Sequence, residues 1–221
     1  MTTSLSLEDL TAWLTAFARE VDAQEALLTS LDAAIGDADH GANMVRGTRS
    51  VAQSLAAQTP RTASELLLRA GTTLVSSVGG AAGPLYGTFF LRMSREAGAV
   101  TELDARGLGA ALRAGLEGLV LRGRAEVGDK TLVDALSPAV AAFEGEAAAG
   151  GDVAAAAQAA AVAAAAGRDA ARMLEARKGR ASLLGERSIG HVDPGSASAA
   201  LLMECLAEAA LGSSAAPITR S

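Results

Sequence analysis

Of the 221 residues only Cys205 is a cysteine. That excludes a disulfide framework and a thiolate-based zinc site. Aromatic residues make up 3% of the chain, although half of it is apolar. The interior must therefore be built mainly from Ala, Leu and Val. These side chains suit close helix-to-helix packing, and Ala and Leu lead the helix-propensity scale. No run of about 18 strongly apolar residues occurs. The nearest candidate, Val153 to Ala166, is almost all Ala, is interrupted by Gln158 and is too short. The opening residues, Met1 to Ser6, lack the apolar centre of a signal peptide. These absences lead to the expectation of a cytoplasmic protein with no membrane partner. An excess of basic charge is missing too: the net charge is −6. No nucleic-acid partner is expected, because phosphates demand a basic face.

What is present is helical periodicity. Ser6 can cap a first helix, with Glu8 and Asp9 in the turn where the helix dipole favours anions. Leu7, Leu10, Leu14, Phe17 and Val21 form one apolar stripe, which resumes at Leu28, Leu31 and Ile35 and stops at Gly36. A second helix opens near Asp39 and runs through Val51 and Leu55, with Pro60 just beyond it. A third begins at Thr62 or Ser64 and reaches the Gly79-Gly80 break. A fourth covers Leu85 to Arg95 and a fifth Leu103 to Leu121. A sixth starts at Asp129 or Thr131 and ends before Gly150-Gly151. Asp152 caps a seventh, the Ala-rich one. A flexible linker is the other reading of that stretch, but the cap and the propensity of Ala favour helix. The eighth runs from Pro194 to Leu211, with Pro194 in its first turn. The expectation is an all-α protein, a single domain over residues 1–221, with eight helices and no convincing strand. Alternate loops of an up-and-down bundle fall at the same end. That parity places the stretches Gly36–Gly41, Gly79–Gly87, Gly123–Lys130 and Arg177–Gly195 together as one composite site.

The first of these loops holds Asp32, Asp37 and Asp39 within eight residues, with no Lys or Arg among them. Crowded carboxylates repel unless a cation sits between them. Hard oxygen donors suit Mg²⁺ or Ca²⁺. A calcium EF-hand does not fit: a loop starting at Asp37 needs Glu at position 48, which is Thr48. The plainer alternative is that Asp37 and Asp39 are turn and cap residues. The second loop, Gly79-Gly80-Ala81-Ala82-Gly83-Pro84, opens a helix and can cradle phosphate on backbone N–H groups, or it is a simple small-residue connection. It is no Walker A loop, lacking Gly-Lys-Ser/Thr. The fourth loop is unlike the rest of this acidic chain. Arg172, Arg177, Lys178, Arg180 and Arg187 stand there against Glu175 and Glu186. Such a cationic loop opposite a carboxylate cluster suits a metal-bound polyphosphate; a solvated charged loop is the bland alternative. Other signals fail. Gly107-Leu108-Gly109 lacks a third glycine and a preceding strand. His40, His191 and Cys205 are too scattered for zinc. No serine sits in a nucleophile elbow.

Taken together, Asp32 with Gly36-Asp37-Ala38-Asp39-His40-Gly41-Ala42-Asn43, the run Gly79 to Thr88, Gly128-Asp129-Lys130-Thr131, and the run Arg177 to Gly195 resemble the L subunit of dihydroxyacetone kinases, the ADP-binding DhaL family. The resemblance covers essentially the whole chain, with the motifs in order. It implies an eight-helix antiparallel barrel with nucleotide at one end. It implies that Asp32, Asp37 and Asp39 hold two Mg²⁺ ions bridging to the phosphates of ADP or ATP. It further implies that His40, Gly41, Ala42 and Asn43, with Ala81 and Ala82, touch phosphates largely through backbone. Gly123 and Leu132 would line the base and ribose pocket. Arg180 would reach the phosphates as the catalytic cation, and Asp193, Pro194 and Gly195 would close the site. The implied partners are a K subunit that holds the ketone covalently on a histidine and a phosphotransferase-system protein that rephosphorylates bound ADP. The lack of a K portion in this chain favours that phosphotransferase-linked type over direct use of ATP. A regulatory adaptor without turnover is the alternative class, and a homodimer is left open. Two positions depart from the family pattern. Ala38 stands where Gly is usual, tolerable if its φ is negative. Ala82 stands where a hydroxyl residue is common.

Overall fold

A computed structural model describes residues 3–214. The ends of the expected domain, residues 1–2 and 215–221, lie outside the described residues. After a short strand β1 (Ser4–Ser6) come α1 (Leu7–Ala23), α2 (Glu25–Ile35), α3 (His40–Ala57), α4 (Ala63–Ser77) and α5 (Ala82–Ala97). Strand β2 (Glu102–Asp104) leads into α6 (Ala105–Gly123), followed by α7 (Leu132–Ala148), α8 (Val153–Ala171), a 3₁₀ segment (Arg180–Ser188) and α9 (Pro194–Ser214).

The helix starts follow from side-chain caps. Ser6 and Asp9 form a reciprocal capping box on α1, and Thr131 and Asp134 form another on α7. Thr62, Asp104 and Asp152 accept N–H groups at the starts of α4, α6 and α8. The Ala-rich stretch is helix, capped where its sequence indicates. Ala156, Ala157, Ala160 and Ala164 are fully buried along it, and their small size lets α8 pack tightly on α7 and α9.

Each helix from α3 to α9 packs on the next, and α9 and α3 both pack on α1. Eight helices thus close into a ring. The expected first helix is in fact two, a correction to the eight counted above. The chain leaves helical geometry at Gln24 (φ −106°, ψ 15°), and α2 swings out to lie across α3 and α9. No Gly or Pro marks that break, because Gln24 N–H still reaches Glu20 O and Gln24 O still accepts from Leu28. The expectation of no strand is also corrected. Ser4–Ser6 pairs antiparallel with Glu102–Asp104. Three residues are too few to show a two-residue alternation.

All six aromatic residues lie in the buried core. Trp13 packs on Phe90 with ring centroids 5.9 Å apart and donates its indole N–H to Leu202 O across the ring at 2.9 Å. The core cluster draws on α1 and every helix from α3 to α9. The α2–α3, α4–α5, α6–α7 and α8–α9 connections gather at one end, where they surround a cavity.

Candidate functional site

The cavity has a volume of about 370 Å³. Asp32, Asp37, Asp39, His40, Asn43, Ala81, Ala82, Gly123, Leu132, Arg180, Asp193, Pro194 and Gly195 all line it. Of the residues that the resemblance places at the metal and nucleotide, only Gly41 and Ala42 do not; of the cationic loop, Lys178 and Arg180 line it and Arg172, Arg177 and Arg187 do not. Gly41 is pressed against α2, where an added Cβ would lie 2.3 Å from Thr29 Oγ1 and 2.4 Å from Glu25 O. Ala42 is exposed beside it.

Asp32, in the last turn of α2, Asp37 in the loop and Asp39 at the start of α3 each offer one carboxylate oxygen, all within 4.8 Å of one another. Asp39 occupies the cap position of α3 yet makes no capping bond. That work falls to Asp32, whose Oδ2 accepts the N–H groups of Asp39 (2.8 Å) and His40 (3.1 Å). The reading of Asp39 as a mere helix cap therefore fails. Gly36 is required beside Asp32: a Cβ there would stand 2.1 Å from Asp32 Oδ1. Ala38 has φ 62°, so the condition of a negative φ is not met. The left-handed turn costs an alanine about 1–2 kcal/mol. Such strain persists where the surroundings impose it. Three oxygen donors this close, with one guanidinium nearby, are a donor set that fits a hard divalent cation.

That guanidinium is Arg180. Its NH1 lies 2.7 Å from Asp37 Oδ2, although the side chain is 68% exposed. It neutralises part of the carboxylate charge from the open side of the cavity.

Facing the carboxylates are helix starts. The N-termini of α3, α5, α7 and α9 all open on this end, and each carries partial positive charge. The N–H groups of Gly41, Ala42, Ala81 and Ala82 make no hydrogen bond among the described residues. Gly80 supplies the left-handed turn before α5 (φ 63°). Gly83 must lack a side chain because a Cβ would meet Val78 O at 2.4 Å. The Asn43 amide oxygen is occupied by Arg46 NH2 at 2.6 Å, and Arg46 Nε also binds Ser77 O at 2.8 Å. Unpaired N–H groups at converging helix starts form an anion cradle. Leu85, Leu119, Ala125 and Leu132 give the cavity an apolar wall beside it.

His40 and Asp193 are among the ionisable groups of the site displaced from their ordinary behaviour. Burial lowers the His40 pKa, against the opposing pull of Asp32 and Asp39, so the ring is neutral at neutral pH. Burial pushes the Asp193 carboxyl up to about 7. The charges of Asp134 and Asp32 add to that rise, while the Ser196 N–H bond and Lys130 oppose it.

Residues 34–208 match the DAK2 domain. The chain belongs to the DAK2 domain family. Over 194 residues it is 43% identical to the ADP-binding subunit DhaL of PEP-dependent dihydroxyacetone kinase 1 of Listeria innocua, covering 88% of this chain and 92% of that one. It is 42% identical over 207 residues to the corresponding DhaL subunit of Escherichia coli, covering 94% and 99%. The crystal structure of the dihydroxyacetone kinase of C. freundii matches with a TM-score of 0.71 at 28% identity. The same enzyme in complex with AMP-PNP and Mg²⁺ matches with a TM-score of 0.68 at 27% identity. Each match covers 90% of this chain but only 34% and 33% of those chains, so the DAK2 domain spans about a third of the solved kinase.

Sequence reasoning missed how this DAK2 domain uses Lys130. The residue is 1% exposed, sits at φ 61°, and donates to the carbonyls of Ala171, Arg172 and Leu174 at 3.1, 2.9 and 3.1 Å. It staples the α6–α7 loop to the C-terminal end of α8. Arg177 N–H to Asp129 O, at 3.0 Å, makes a second tie between the same segments. A lysine beside an Asp in a polar motif gives no sign that it turns inward.

Proposed function

We propose that this chain is the nucleotide-binding subunit of a dihydroxyacetone kinase, one domain spanning residues 1–221 and working in the cytoplasm. The observation that carries this reading is the carboxylate triad set against unpaired helix N-termini across one cavity. The chain also spans nearly the full length of the ADP-binding subunits it resembles. Asp32, Asp37 and Asp39 would hold Mg²⁺, which would neutralise phosphate charge there.

The chain's own groups do the rest. Backbone N–H groups of Gly41, Ala42, Ala81 and Ala82 bind phosphate oxygens, so the alanine at position 82 costs no backbone donor. The His40 N–H is already given to Asp32, and the Asn43 amide oxygen to Arg46. Gly123 and Leu132 wall the base and ribose, and Asp193, Pro194 and Gly195 close the far side. Arg180 exchanges its Asp37 partner for phosphate oxygens once the carboxylates are otherwise neutralised. In that position a planar guanidinium stabilises charge as the phosphoryl group moves. The bond from phosphorus to the ADP oxygen breaks with its electron pair staying on ADP, one to a hydroxyl oxygen of the ketone forms, and the hydroxyl proton passes to a base on the K subunit. The ketone is held on a partner K subunit, and a phosphotransferase-system protein restores the bound ADP. No helix of the described residues is long and apolar enough to cross a membrane, which agrees with a site open to such partners.

The test is formation of dihydroxyacetone phosphate by this chain mixed with a K subunit, supplied in turn with the phospho-donor protein and with ATP. Turnover with the phospho-donor and bound ADP is expected. No turnover with either donor would defeat the kinase reading and leave a regulatory adaptor.

A further inference from the structure

One turn beneath the phosphate cradle, three of its helices are tied by side chains. His40 is the first residue of α3, while Tyr86 and Ser198 each stand four residues past the start of α5 and α9. Ser198 Oγ lies 3.0 Å from His40 Nε2, 2.8 Å from the Tyr86 hydroxyl and 3.1 Å from Gly195 O. Tyr86 is 1% exposed and Ser198 fully buried, so both hydroxyls are withdrawn from bulk solvent.

Counting protons orders these contacts. Among the described residues the Tyr86 hydroxyl has no other partner, so it donates to Ser198 Oγ. Ser198 has a single proton and two lone pairs. If that proton goes to Gly195 O, the second lone pair accepts from His40, and all three contacts are used. The His40 ring must then carry its proton on Nε2 and leave Nδ1 bare. The opposite choice, Ser198 donating to His40, leaves the Gly195 contact without a proton.

We propose that Ser198 is a positioning residue whose hydroxyl holds His40 in the Nε2–H form and, through Tyr86, locks the N-termini of α3, α5 and α9 in the register that binds the nucleotide phosphates. The proposal rests on the nucleotide-binding reading above. Its physical basis is that each of these helices carries a different part of the site: Asp39 with the Gly41 and Ala42 N–H groups, the Ala81 and Ala82 N–H groups, and Asp193. A buried hydroxyl satisfied on three sides fixes its neighbours more narrowly than apolar packing does.

The chain has two histidines, His40 and the exposed His191, so ¹⁵N-histidine spectra at pH 8 are assigned with one His191→Gln variant. Wild-type His40 is expected to show a protonated Nε2 and a bare Nδ1. In Ser198→Ala the two nitrogens should average toward one another. The Kd for ADP with Mg²⁺, read by calorimetry, should rise at least roughly tenfold, the usual cost of losing a group that orients a ligand-binding residue. Tyr86→Phe serves if Ser198→Ala does not fold; it must weaken ADP binding while His40 keeps its Nε2 proton. Ser94→Ala removes another buried hydroxyl of α5, one bonded only to Ser64, and must leave the Kd unchanged. A protonated Nδ1 in the wild type, a wild-type Kd in both site variants, or an equal loss in Ser94→Ala would overturn the proposal. A wild-type protein with the Nε2–H pattern that takes up no ADP would instead overturn the nucleotide reading on which the proposal rests.

Discussion

Replacing Lys130 by Met removes the ammonium but keeps most of the stem. Three charge-assisted bonds disappear, yet the loss is not three times one bond. Ala171 O keeps the Leu174 N–H at 3.1 Å, and Arg172 O keeps the Gly190 N–H at 2.8 Å. Among the described residues only Leu174 O loses its sole partner, an orphaned carbonyl worth about 1–3 kcal/mol. The C-terminal end of α8 also loses its one buried cation, up to about 2 kcal/mol in a partly buried setting. Against this, the variant no longer buries a charge. Burial already depresses the Lys130 pKa, opposed by Asp193 and Asp134, so that gain is real but does not dominate. The expected net loss is about 3 kcal/mol, or roughly 6–12 °C in Tm for a chain of this size. Urea unfolding of metal-free protein, with midpoint and slope both fitted, is the assay. Lys178→Met is the comparison. That side chain is 41% exposed and 3.9 Å from Asp129, so its loss should cost well under about 1 kcal/mol. If Lys130→Met lost less than about 1 kcal/mol, the ammonium would not be the staple described here.

Ala38→Gly should raise stability by about 1 kcal/mol, because Gly adopts φ 62° without the clash an alanine meets there; a melting curve unchanged or lowered would refute the strain. Asp193→Asn should flatten the pH dependence of stability in metal-free protein while keeping the cap on Ser196 N–H. The folded carboxyl titrates at about 7, well above the unfolded value of about 4, so its contribution is full below pH 4 and is lost as pH rises through 7. The loss is up to about 4 kcal/mol, less what solvent screens at this half-buried group. Equal pH slopes in the two proteins would refute it. Arg180→Ala should keep ADP and Mg²⁺ but transfer phosphoryl roughly a hundredfold more slowly, in line with losing one electrostatic donor; wild-type turnover with the K subunit would remove Arg180 from the mechanism.

Much of this was legible in the residues. Gly36, Gly79-Gly80 and Gly150-Gly151 punctuate the chain, Thr131 and Asp152 cap where a cap is needed, and counting alternate loops places the site at one end of the ring. What was hidden has physical causes. The break at Gln24 keeps its hydrogen bonds, so no breaker residue announces it. The β1–β2 pair is too short for alternation. The 3₁₀ segment lies in a basic loop with no apolar period. Asp32 caps α3 from a neighbouring helix, a contact eight residues from His40 that no local rule contains. Lys130 and Ser198 act through tertiary partners, and tertiary context alone forces Ala38 into a left-handed turn.

The central claim is that the Asp32, Asp37 and Asp39 cluster holds the divalent metal through which ADP is bound. The most direct test is calorimetric titration of metal-stripped protein with ADP, with and without Mg²⁺, in wild type and in Asp37→Asn and Asp39→Asn. Wild type should bind one ADP per chain only when Mg²⁺ is present, and both variants should lose tight binding while remaining folded. Stoichiometric, tight ADP binding by either variant, or by wild type in the presence of a chelator, would contradict the account.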